Sequence, residues 1–489
     1  MHSMPGALAE GRNQFALSAW IFLRGLALIH LVAFASFWMQ LPGLIGPHGL
    51  APAGAYFQAA REQLGPSAWW QLPSLCWLGG SGIFLHVLCA GGIVLAALLF
   101  AGIAPALCFA LLWACYLSLV TAGQVFFGFQ WDSLLLETTL LAVLLAPWSW
   151  LPLWRPAEPP RVARWLLWWL LFRLMFLSGA VKLASGDPTW RNLTALVFHY
   201  ETQPLPTPIA WYFSQLPLWA HQACCAVMFA IELLAPFLIF APRRLRHASV
   251  LAIVTLLALI FLTGNYTFFD LLAIILCLLC LDDGWWSRRL RRPPVMSAVT
   301  RHPPRWLLWP VAALVVVITL LQGSARLTRG TAVPAAFWPV DRVLDPFRSL
   351  NSYGLFAVMT TTRPELIIEG SDDRREWRAY ELPHKPGDLS RRPDFIAPLQ
   401  PRLDWQLWFA ALEDSRQNPW IYPLCEHLLR GTPEVLALFA TNPFPDHPPR
   451  YLRIVRYEYH FTDTTERARN GHWWQRTPLD YYVEPLSLH

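Results

Sequence analysis

The chain has 489 residues, a net charge of +6, 55% hydrophobic side chains and 14% charged ones. A soluble globular protein is about a quarter charged, so composition excludes that class, together with a disordered chain, a collagen-like fibre and a small disulfide scaffold. The charge is unevenly placed: residues 1–330 carry 20 basic and 11 acidic side chains (+9), and residues 331–489 carry 18 and 21 (−3).

Residues 1–14 hold Pro5, Glu10 and Arg12 but no short apolar stretch before a cleavage site. A cytoplasmic tail, not a cleavable signal peptide, is expected there. Nine apolar runs follow, near 15–38, 80–102, 104–122, 132–152, 163–184, 218–241, 248–263, 266–281 and 305–322. They read as helices crossing about 30 Å of hydrocarbon, the two between 248 and 281, at roughly 16 residues each, being short enough to be tilted or to form a hairpin that does not fully cross. Trp148, Trp150 and Trp154, then Trp165, Trp168 and Trp169, then Trp285 and Trp286 stand at span ends, as interfacial belts do.

Arginines orient the bundle. Arg155, Arg161 and Arg164, then Arg243, Arg244 and Arg246, then Arg288, Arg289, Arg291, Arg292, Arg301 and Arg305 fall in alternate loops, on the side of Arg12. By the positive-inside rule that side is the cytoplasm. The basic surplus is therefore a topology signal, and no nucleic-acid partner is expected. The expected fold is a polytopic α-helical membrane bundle of about nine spans (15–322), a linker (323–350) and a mainly β extracytoplasmic domain (351–489).

In that domain, residues 353–362, 364–370, 376–382 and 451–461 alternate as strands do, 403–413 reads as a helix, and Asn418-Pro419 opens another. Its one cysteine, Cys425, excludes an internal disulfide. Cys277 and Cys280 have redox spacing but sit in an apolar run, where they read as buried thiols. Asn192-Leu-Thr194 and Asn265-Tyr-Thr267 match the glycosylation pattern beside the membrane.

Charges within apolar runs cost several kcal/mol unless paired or wetted, so Arg24, Glu137, Arg173, Lys182, Glu232 and Asp270 are functional candidates. Glu137 and Arg173 read as an intramembrane charge pair. Lys182 is one of only two lysines, with Lys385, against 36 arginines. A buried lysine can serve as a base, whereas an arginine cannot; the alternative is a snorkelling or salt-bridged lysine that fixes helix register. The segments 123–132, 186–217 and 263–269 are polar and aromatic and emerge on one face, like the roof of a site. His199, Tyr200, Glu201, Asn265 and Tyr266 are its candidate substrate-binding residues, with Trp405 and Trp408 from the C-terminal domain. His199 and Glu201, with Asp187 upstream, lack a third ligand at a recognised spacing, so no metal is expected. No nucleophile elbow, Walker loop or HExxH motif occurs, and no cofactor is expected.

The strings FQWDSLLLET (129–138), FRLMFLSGAVKL (172–183), GDPTWRNLTALVFHYETQPLPTPIAWYF (186–213), LTGNYTFF (262–269), NSYGLFAVMTTTRPELIIEGS (351–371), HKPGD (384–388) and QPRLDWQLWFAAL (400–412) resemble those of lipase maturation factors. The resemblance spans roughly residues 15 to 480. It implies a polytopic membrane protein, of the endoplasmic reticulum in eukaryotes. Its role would be to bring secreted clients such as dimeric lipases to an active fold, with the C-terminal domain engaging them. One departure is local: GSDDRREW (370–377) lacks the glycine expected after the acidic pair. The membrane body is more distantly similar to vitamin K-dependent carboxylases, where a lysine in a context like GAVKL (179–183) is the base. That resemblance implies a second reading, an enzyme using Lys182 and Asp132 on a lipid-soluble or peptide substrate. Asp132 stands where those enzymes have a supporting histidine, a departure that would pair Lys182 and not free it. The second reading predicts loss of function in Lys182→Met without loss of expression.

Overall fold

The computed structural model describes residues 14–79, 82–150, 155–290 and 300–488. All but the last residue of the expected tail lies outside them, as do Trp154, Arg291 and Arg292. In chain order the body contains α1 (Ala16–Trp38), α2 (Gly82–Ala101), α3 (Pro105–Ala122), α4 (Gln130–Leu145), α5 (Arg161–Ser185), the short α6 (Ala195–Thr202), α7 (Leu218–Leu238), α8 (Arg243–Thr263), α9 (Phe269–Leu278) and α10 (Arg305–Thr328). Seven of these, α1, α2, α3, α5, α7, α8 and α10, are long and apolar enough to cross a membrane, which makes this an integral membrane protein. The count differs from nine because two of the apolar runs fold into shorter helices. α4 has 16 residues and α9 has 10, about 24 and 15 Å of helix at 1.5 Å per residue. α4 stops at Leu145 because Pro147 follows and cannot continue a helical ladder.

The two ends of these short helices lie far apart in the bundle. Asp132 of α4 meets Arg402 of the C-terminal region, while beyond its other end the Trp148 amide donates to the Arg301 carbonyl at 2.8 Å. Asn265 before α9 holds the 394–397 loop, and Asp283 after it accepts the Ala16 and Leu17 amides at the start of α1. Those amides are orphan donors of a helix N-terminus, where a carboxylate is favoured. The starts of α1, α5 and α8 cluster there too, with Arg164 3.7 Å over the Phe15 ring, Arg246 5.5 Å over the same ring, and Arg243 paired to Asp282 at 2.6 Å. The arginine-rich loops thus share one end of the bundle. α5 runs through its centre, against α4, α7, α9 and α10.

At the opposite end sits the C-terminal domain, reached through α11 (Phe337–Leu344). Its strands β1 (Pro364–Ser371), β2 (Arg378–Tyr380), β3 (Tyr451–Phe461) and β4 (Trp474–Leu486) form one antiparallel sheet in the order β2-β1-β3-β4. Helices α12 (Arg402–Ala411) and α13 (Ile421–Arg430) lie between β2 and β3 in the chain, and α12 packs on β1. All eight residues of β1 are buried, as suits a central strand covered on both faces.

Three local expectations change. Residues 353–362 form no strand, because this segment is drawn onto the bundle: the Tyr353 hydroxyl donates to Glu137 at 2.7 Å and the Met359 amide to Asp187 at 2.6 Å. The helix near Asn418-Pro419 begins two residues after Pro419, at Ile421. β4, not expected, is an exposed edge strand containing Pro478, with register shifts against β3 that blunt further pairing. The missing glycine of 370–377 also finds its place. Arg374, immediately after the acidic pair, holds φ +62°, a backbone region that glycine occupies without strain. Asp373 caps the turn by accepting the Arg375 and Glu376 amides, and the Arg374 guanidinium lies 4.2 Å over the Tyr451 ring.

Candidate functional site

The predicted roof segments do converge, and the C-terminal domain is seated on them. Asn265 is fully engaged as a two-sided bracket, its Nδ2 donating to the Leu205 and Asp394 carbonyls and its Oδ1 accepting the Ile396 and Ala397 amides. Glu201 accepts the Phe461 amide at 2.8 Å and meets the His460 ring at 2.8 Å. Tyr200 is buried with Trp211, Tyr459 and Trp473. Trp408 donates from Nε1 to the Thr202 carbonyl at 3.1 Å, and Trp405 stands 4.7 Å edge-on to Trp131. Trp405 and Trp408 are buried in this seam, so they join domain to bundle and offer no face to a partner in solution.

Charge secures the seam. Arg402 is buried and donates to both oxygens of Asp132, at 3.0 and 3.1 Å, and to the Phe126 carbonyl at 2.6 Å. The Tyr116 hydroxyl donates to Asp132 at 2.5 Å. Glu137 pairs with Arg173, and Glu137 also accepts from Tyr353 and from Asn351 Nδ2, while Arg173 donates to the Asn351 carbonyl at 2.7 Å. Arg363, wholly buried, pairs with Glu365 at 2.8 Å and donates to the Glu201, Gln203 and Pro204 carbonyls. Lys385 completes that cluster at 2.9 Å from Glu365. Paired and hydrogen-bonded groups of this kind are the arrangement in which buried ions are tolerated. Arg402, Arg363, Asn351 and Tyr353 were not singled out in the sequence, since nothing in their spacing separates them from solvated residues.

Lys182 and Asp132 are not brought together. Lys182 Nζ donates to both oxygens of Glu232 on α7, at 2.8 and 2.7 Å, and lies 5.2 Å from the Trp190 ring. Gly179, one turn earlier on α5, permits this approach: a Cβ there would sit 3.0 Å from the Glu232 Cβ. The pair lies on the wall of a cavity of about 360 Å³ enclosed by α5, α7, α8 and α9 and covered by His199, Tyr266 and Phe356. The volume is within the range of ligand sites, ~300–1,000 Å³.

His199 bonds Tyr266 at 3.3 Å over this cavity. Burial, aided by the Lys182 charge, pushes its imidazole down to about 4. Between about 4 and the ordinary 6.5 the unfolded chain holds a proton that the folded chain does not, so stability falls as pH falls through that window. The ceiling is ~3 kcal/mol for this group, reduced by the part of the ring that stays accessible. Unfolding temperatures taken from pH 7 to pH 5 are expected to drop more steeply for wild type than for His199→Gln; equal slopes would contradict the assignment.

Residues 17–288 match the family model described as the lipase maturation factor transmembrane domain, and residues 349–484 match the lipase maturation factor C-terminal domain. The chain belongs to the lipase maturation factor family. It is 35% identical to lipase maturation factor 2 of Xenopus laevis over 98% of this chain and 83% of that protein. Against human lipase maturation factor 2 the identity is 36%, over 96% and 82% of the two chains. Mouse lipase maturation factor 1 is 34% identical over 97% and 88%. No solved structure matches the chain. In lipase maturation factor terms, the two matched regions are the bundle and the domain clamped to it. Neither the comparisons nor the pairing of Lys182 with Glu232 supports the carboxylase-like reading.

Proposed function

We propose that this protein is a membrane-anchored maturation factor that helps secreted clients, lipases among them, reach an active fold. The observation that carries the reading is the clamped seam, which holds a sheet domain rigidly on the arginine-poor end of the bundle. The domain divides from the body at 323–350 and works outside the cytoplasm, in the lumen of the endoplasmic reticulum in a eukaryotic cell or in the periplasm of a bacterium. α4 and α9 complete nine crossings, supported by the contacts at their opposite ends, and the N-terminus is cytoplasmic, supported by the arginine-rich loops. With Trp405 and Trp408 enclosed, client contact falls to the exposed apolar side chains Phe395, Leu399, Phe409 and Leu412 of the C-terminal domain.

The test is lipase activity per molecule of secreted lipase in cells deleted for their own maturation factors. Expression of this chain is expected to restore it, and Phe395→Ser combined with Phe409→Ser to reduce the restoration several-fold at equal membrane level. Unchanged activity with and without the chain would overturn the reading.

A further inference from the structure

The cavity beneath the roof has a mouth and an unsatisfied interior. Ala223, Cys224 and Val227 of α7 and Thr255 and Leu259 of α8 are cavity-lining residues exposed on the outer surface of the bundle, so the opening lies between two helices at hydrocarbon depth. Inward from it the wall is apolar, formed by residues such as Met175, Met228 and Phe269. Two buried polar groups on that wall have no hydrogen-bond partner among the described residues: both carboxyl oxygens of Asp270, and Nε1 of Trp131. The nearby Lys182–Glu232 pair, Ser178 and Thr263 are satisfied within the protein. Lys182 and Glu232 bind each other, Ser178 donates to the Leu174 carbonyl, and Thr263 donates to the Leu259 carbonyl. A buried polar group without a partner costs about 1–3 kcal/mol, and an acidic one in a membrane more, so its retention asks for a ligand.

We propose that this cavity binds an uncharged lipid that enters sideways from the bilayer, and that the lipid carries a hydroxyl beside an ester carbonyl, as partial glycerides do. The hydroxyl meets Asp270, to which it donates or from which it accepts in either protonation state. The ester carbonyl accepts from Trp131 Nε1. A charged head is disfavoured: Lys182 and Glu232 already neutralise one another, and the rest of the wall is largely apolar. The acyl chain lies along the apolar wall and leaves between α7 and α8, its far end remaining in the bilayer. No client is involved in this binding, so it stands or falls apart from the maturation reading.

The experiment uses the full chain in phosphatidylcholine nanodiscs with a diacylglycerol carrying a diazirine in one acyl chain. Crosslinks are expected to concentrate on α7 and α8. Dioctanoylglycerol is expected to compete for labelling about tenfold better than trioctanoylglycerol or octanoic acid, the worth of one or two hydrogen bonds. Asp270→Leu should level the first two competitors. Val227→Trp, a change on the lipid-facing surface that leaves the core intact, should cut labelling several-fold, and it decides the matter where Asp270→Leu fails to fold. Labelling spread evenly over the bundle, equal competition by all three lipids, or undiminished labelling of Val227→Trp would each overturn the proposal.

Discussion

Arg402→Met is expected to destabilise the assembled protein by about 3–5 kcal/mol, the cost of breaking a buried pair by removing one partner. The effect follows from what Arg402 leaves behind. Asp132 would keep only the Tyr116 hydroxyl, with its charge buried between helix ends and the domain; the Phe126 carbonyl would lose its donor. The guanidinium also lies 3.5 Å over the Phe127 ring, a contact methionine only partly replaces. Asp132→Leu should cost a comparable amount by stranding the cation. The pair Asp132→Leu with Arg402→Met should recover much of the loss, because no unpaired charge remains. Unfolding temperature in detergent and the rate of protease cleavage at the 323–350 segment are the measurements. If each single change costs under about 1 kcal/mol, the pair is not holding the domain.

That prediction rests on a contact invisible in the sequence, and the reason is physical. Hydropathy and arginine placement report on the solvent each segment meets, so the helices of the body were legible run by run, although length alone overstated α4 and α9. Alternation reports on one-sided burial, which made β3 legible; β1, buried on both faces, was legible as a short run bounded by turn residues. β4 was not, because it is an exposed edge strand interrupted by Pro478. The segment 353–362 alternates like a strand yet spends its polar groups on Glu137 and Asp187. In the site, charges inside apolar runs drew notice because hydrocarbon makes them costly, and Glu137, Arg173, Lys182, Glu232 and Asp270 were legible for that reason. Their partners were not. Arg402 lies 270 positions from Asp132, in a domain where arginines are ordinarily solvated. The aromatic residues Trp405 and Trp408 look like a binding surface until the domain is docked.

Lys182→Met is expected to lower stability by about 3–5 kcal/mol and to reduce the amount of protein in the membrane, in contrast to the silent expression that a purely chemical role demands. Glu232 would be left facing an apolar cavity with both oxygens released. The compensating change is Glu232→Leu. In the double variant α5 and α7 keep their close approach at Gly179, no ion is stranded, and Asp270 and Trp131 are untouched. Stability and membrane level should return most of the way to wild type, and lipase activity per molecule of membrane protein should return with them. The single and double variants together separate two roles that Lys182→Met alone confounds. A double variant that is stable and present in the membrane yet fails to mature lipase would assign the Lys182 ammonium a direct part in the activity. One that regains both would make the pair a helix clamp, retained because a lone charge of either sign at that depth costs more than the two together.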